Sequence, residues 1–178
     1  ALTDGSDDPA LAVSIAQASG ARVALIDGDV MAMGDLATML HLNPERALVD
    51  LAPVFDSGRP LSPLDLKQLL TSHSSGIDFL PLIRLPTQAA QLRPQWLKPM
   101  LQVLRQHADY IVIDAGRAFT EHLLAAFDEA NLLLLVLMPD VIALSQIKRA
   151  IEGLDHMLYP RGMLKLVLNR ARSRGGRT

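Results

Sequence analysis

The run ValAlaLeuIleAspGlyAsp at 23–29 constrains this chain more than any other stretch, because four apolar residues pass directly into two carboxylates. A short, continuous apolar run fits a strand buried on both faces, as in parallel sheets covered by helices on each side. TyrIleValIleAsp at 110–114 repeats the pattern, so two strands bring Asp27 and Asp114 to one sheet edge. Open α/β sheets bind ligands at that edge. A lone strand-end Asp also serves as a cap for the turn or helix that follows. Each aspartate fits either role, and the matched pair favours a site.

The rest of the chain supplies helices between such strands. Polar Thr3–Asp8 leads into a helix over 10–19, with Asp8 as N-cap, Pro9 in the first turn, the apolar set Leu11, Val13, Ile15, Ala16 and Ala18, and Gly20 as the stop. A strand over 22–26 follows, then an apolar loop, Val30–Gly34, and a short helix from Asp35 to about Leu42. Further helices are expected over 46–55 and from Pro63, the latter carrying Leu64, Leu66, Leu69 and Leu70 on one side. Strands are expected over 77–82, 110–113, 131–138 and 164–168, and helices over 95–106, 121–128 and 142–157. The last of these helices carries Leu144, Ile147, Ala150, Ile151 and Leu154 at helical spacing. Segment 84–93 reads as a loop. This alternation implies a three-layer α/β fold, a mainly parallel sheet with right-handed crossovers and helices on both faces.

At 178 residues and 49% hydrophobic composition, the chain is expected to form one domain over 1–178. It lacks an initiator Met and ends in an arginine-rich stretch, which suggests a fragment of a longer protein. A net charge of −2 gives no general attraction to nucleic acid or anionic lipid. With zero cysteines there is no disulfide, thiol nucleophile or cysteine metal site, a composition that suits a reducing cytoplasm. His41, His73, His107, His122 and His156 are scattered without metal-ligand spacing, and no metal site is assigned. Apolar runs fall short of the roughly 18 residues that a membrane span needs.

Several stretches together resemble the deviant P-loop ATPases of the MinD and ParA class, and within it the CpaE and TadZ proteins of Flp (Tad) pilus assembly. They are AspGlyAspValMetAlaMetGlyAspLeuAlaThrMetLeu at 27–40, AspTyrIleValIleAsp at 109–114, LeuMetProAspValIleAlaLeuSerGlnIleLysArg at 137–149 and TyrProArgGlyMetLeuLysLeuValLeuAsnArg at 159–170. The resemblance implies a P-loop NTPase fold with its first strand truncated. It implies that Asp114 supports magnesium through a water, that Asp29 helps position the attacking water with Asp27 supporting the same loop, and that Asn169 contacts adenine. Asn at a strand end also favours a turn on its own account. Pilus assembly proteins are the implied partners, with a homodimer through Val30, Met31 and Met33. The implied location is the cytoplasm, at the inner membrane or cell pole through those partners. A ParA-like grip on DNA would need more than Arg170, Arg172, Arg174 and Arg177, and none is expected.

The departure from the family lies in the loop that should hold phosphate. Relatives carry LysGlyGlyXGlyLysThr before the first helix, whose amides, lysines and hydroxyl surround the phosphates and magnesium. Here that loop falls on Thr3–Ala10: only Gly5 survives, Ser6 stands at the variable position, Thr3 replaces the signature lysine, and Asp4, Asp7, Asp8 and Pro9 replace two glycines, the phosphate-binding lysine and the magnesium-binding hydroxyl residue, ahead of Ala10. The same residues make an ordinary helix start, with Asp8 capping and Asp4 and Asp7 solvated. The expectation is a pseudo-ATPase with no cofactor; ATP and magnesium belong to the alternative, an active switch that dimerises around nucleotide.

Overall fold

The computed structural model describes residues 8–31, 35–116, 119–137 and 141–169. Described residues up to Glu129 form one compact unit and those from Ala130 onward another.

The first unit opens with α1 (Asp8–Ser19), closed by Gly20, which takes a left-handed φ of 67° while its N–H bonds back to Ala16. The buried positions of α1 are Pro9, Ala12 and Ala16. Of the expected set, Ala16 is in the core, Val13 and Ile15 pack half-buried against it, Leu11 is half-buried and Ala18 is exposed, while Ala12, not foreseen, is fully buried at i, i+4 spacing from Ala16. Strand β1 (Val23–Asp27) follows, then α2 (Asp35–Met39). The helix expected over 46–55 is a 3-10 turn, Leu48–Leu51, leading into α3 (Ala52–Asp56). Pro53 explains the break, since proline lacks an N–H and is tolerated only in a helix's first turn.

Next, α4 (Pro63–Lys67) is held by a capping box in which Ser62 accepts from the Asp65 N–H and Asp65 accepts from the Ser62 N–H. Leu66 and Leu69 are buried beneath it, but Leu64 is 66% exposed and does not share their face. A short β2 (Thr71–Ser72), not foreseen, pairs antiparallel with β3 (Ile77–Pro81) across a turn closed by Gly76. The segment read as a loop contains a 3-10 helix, Pro86–Gln91, and a second, Pro94–Trp96, leads into α5 (Leu97–His107). Trp96 is buried, stacked on Phe55 with centroids 4.8 Å apart and with the Arg93 guanidinium over its ring. Strand β4 (Tyr110–Asp114) and α6 (Glu121–Phe127), capped by Thr120, complete the unit.

Its sheet runs β2-β3-β1-β4, with β3, β1 and β4 parallel. All five residues of β1 are buried, and their side chains alternate between two cores. Ala24 and Ile26 join Leu80, Leu82, Trp96, Leu97, Met100, Leu101 and Leu104 on one face. Val23 and Leu25 join Ala12, Ala16, Leu36, Leu40, Ile77 and Phe79 on the other. Helices thus cover both faces, as the continuous apolar run requires.

The second unit contains β5 (Leu133–Leu137), α7 (Val141–His156), a 3-10 turn at Arg161–Met163 and β6 (Leu164–Leu168), which pairs parallel with β5. On α7 only Leu154 is fully buried among the described side chains, and Leu144 is 57% exposed. The contact stripe runs through Ala143, Ile147, Ala150, Ile151 and Leu154.

Candidate functional site

The parallel register sets Asp27 of β1 directly beside Asp114 of β4, so both strands end at the same level. Ile26 and Ile113 face the core under α5, and alternation therefore sends Asp27 and Asp114 to the opposite face, which α1 covers. Both are buried, at 9% and 2% exposure, and no described buried side-chain polar atom lacks a hydrogen-bond partner. This is the carboxyl edge of the parallel strands, where the sequence places a site.

The two strand ends are stitched together by backbone. The Gly28 N–H donates to the Asp114 carbonyl at 3.0 Å, and the Leu82 N–H donates to the Asp27 carbonyl at 3.1 Å. Glycine at 28 is required by that approach, since a Cβ there would lie 2.5 Å from the Asp114 carbonyl oxygen and 3.3 Å from side-chain atoms of Ile113 and Leu123. Beyond Asp114, the Gly116 N–H donates to Asp114 Oδ1 at 2.8 Å, and Gly116 adopts φ of 56°. Asp29 accepts from the Met31 N–H at 2.9 Å through Oδ1, an Asx turn, and its carboxylate lies against the Cα of Gly116.

Of the residues singled out from sequence, Asp27, Asp29 and Asp114 are therefore brought together. Asn169 lies in the second unit, just past β6, its N–H bonded to the Leu137 carbonyl at 2.9 Å. Gly5, Ser6 and Asp7, with Met33 and the arginines from Arg170 onward, lie outside the described residues. Pro9 is buried in the first turn of α1 and Ala10 is exposed beside it. Val30 packs against the core, and Met31 is 73% exposed.

A magnesium nucleotide would need N–H donors, a cation and a hydroxyl at the start of α1. Pro9 offers no N–H, and neither Asp8 nor Ala10 supplies a positive charge or a hydroxyl. Among the described residues, Asp8, Pro9 and Ala10 do not supply that donor set.

Reasoning from sequence missed one polar cluster: Ser72 donates to Asp78 Oδ1 at 2.6 Å, and His107 Nε2 meets Asp78 Oδ2 at 3.0 Å. The serine hydroxyl points to the carboxylate and not to the imidazole, so the trio ties β2, β3 and α5 together without forming a nucleophile. Its members are up to 35 positions apart and carry no local motif.

No protein-family model matches the chain, and no curated protein matches it. Solved structures do. A ParA family ATPase from Chlorobium tepidum TLS superposes with a TM-score of 0.81 at 19% identity, over 97% of this chain and 72% of that one. The septum site-determining protein MinD of Pyrococcus horikoshii OT3, solved with Mg-ADP, gives 0.71 at 18%, over 96% and 67%. A MinC:MinD cell division complex from Aquifex aeolicus gives 0.68 at 20%, over 96% and 65%. The likeness establishes a MinD/ParA-like P-loop NTPase fold.

Proposed function

We propose that the chain is a CpaE/TadZ-type factor of Flp (Tad) pilus assembly and polar localisation, acting through protein contacts and not through ATP turnover. The reading is supported by the sequence leading into the first helix, where aligning the chain with its resemblance puts Asp4, Asp7, Asp8 and Pro9 at the positions of the phosphate loop. Replacing lysine by aspartate changes the sign of the interaction with a polyphosphate. Each unit charge about 4 Å away contributes about 4 kcal/mol at an effective dielectric near 20. The first-turn amides of a helix attract anions, but Pro9 removes one. A second copy and pilus assembly proteins are the proposed partners. The MinC:MinD complex supports the idea that such a fold works through a bound protein.

Isothermal titration of Mg-ATP into the purified chain, with phosphate release followed in parallel, tests the reading. Neither binding heat at micromolar ligand nor phosphate is expected. Micromolar binding with turnover would instead establish an active switch, the alternative that the retained Asp27, Asp29 and Asp114 edge supports. In a non-piliated deletion strain, a gene copy carrying Asp29→Ala and Asp114→Asn is expected to restore pili whenever its product accumulates.

A further inference from the structure

The two strand-end loops accommodate each other reciprocally. Gly28, one residue past Asp27, makes room for the backbone carbonyl of Asp114, while Gly116, two residues past Asp114, makes room for the carboxylate of Asp29. The second contact is the closer. A Cβ on Gly116 would overlap Asp29 Oδ2 and Cγ and would lie 2.8 Å from Asp29 Cβ. Gly116 is itself buried and held from the other side, its N–H on Asp114 Oδ1. One residue therefore touches both carboxylates, donating to Asp114 and supporting Asp29 against its Cα.

We propose that Gly116 is a positioning residue for Asp29: its missing side chain is the seat of that carboxylate, so the loop after β1 and the loop after β4 can change only together. An occupant that drew Asp29 off Gly116 would free the segment after Asp114, and a rearrangement there would unseat Asp29. The inference rests on reading these carboxylates as the remnant of the family's site. It states how that site would pass a change from one strand end to the other.

The test is a double-mutant cycle by chemical denaturation, without any ligand. Gly116→Ala carries two separable costs, the left-handed φ that any L residue resists and the overlap with Asp29. Only the second should vanish when Asp29→Gly removes the carboxylate and its Cβ. Gly116→Ala is therefore expected to lower the unfolding constant by roughly tenfold more in the native chain than in the Asp29→Gly chain. Equal factors in the two backgrounds overturn the proposal. Should Gly116→Ala alone fail to fold, the double variant is expected to fold, and its failure is equally fatal. Gly28→Ala provides the contrast, since it meets the Asp114 carbonyl and should not be rescued by Asp29→Gly. A rescue there would reveal general loosening and would also count against the seat. In a Gly116→Ala chain that folds, the Asp29 carboxyl carbon resonance should shift while that of distant Asp65 stays in place; an unmoved Asp29 signal overturns positioning. Because no nucleotide enters these measurements, losing the interlock leaves the ATP reading intact, and finding ATP turnover leaves the interlock intact.

Discussion

At the scale of single residues, the strand-opening end of the sheet is as informative as the site end. Arg22 donates to Asp109 Oδ1 through Nη2 at 2.8 Å, while its N–H donates to Oδ2 at 2.9 Å, clamping the starts of β1 and β4. Those bonds, more than the charge itself, lower the Asp109 carboxyl to about 2 from its ordinary 3.8. A carboxyl held low in the folded chain stabilises it above the unfolded value, and that contribution is lost as pH falls from 3.8 toward 2. The Arg22→Ala chain is expected to lose less stability than the native one over that interval, as urea midpoints measured at stepped pH would reveal. Glu129 is likewise held low, by hydrogen bonds from Lys98 and then Arg105. Asp27, Asp29 and Asp114 were legible because an apolar run ending in Asp is a local signal. Gly116 was not, since its reason for being glycine is the carboxylate of a residue 87 positions earlier.

Among elements, those with long periodic patterns were legible and those shaped by proline or by pairing were not. Strand β6 falls where the sequence put it, and β1, β4, α5 and α7 agree within a residue or two. The misreadings have identifiable causes. Pro53 splits a helix, β2 is strand only through its pairing with β3, Leu64 lies on the opposite side of α4 from Leu66, and Leu144 is exposed in the first turn of α7. Trp96 shows how the turn before α5 earns its place, filling the core through its stack on Phe55. Trp96→Ala is expected to destabilise the chain by about 3–5 kcal/mol, read as a lower denaturation midpoint, because the surrounding side chains cannot close over a vacancy of that size.

For the molecule as a whole, the MinD/ParA-like architecture follows from the order of strands and helices, whereas a fold alone does not decide the use made of it. Among the described residues no helix is long and apolar enough to cross a membrane. Exposed Met31 marks the surface where a second copy is proposed to meet the first. Light scattering of the Met31→Asp, Met33→Asp chain should report a monomer where the native chain reports a dimer, and an unchanged dimer would exclude that surface. One further property follows from the way β1 feeds alternate side chains into two separate cores. A shift of this strand by one residue would invert both layers at once. The helices on either side of the first unit's sheet thus share a single keystone, and loosening one layer is felt in the other through that strand.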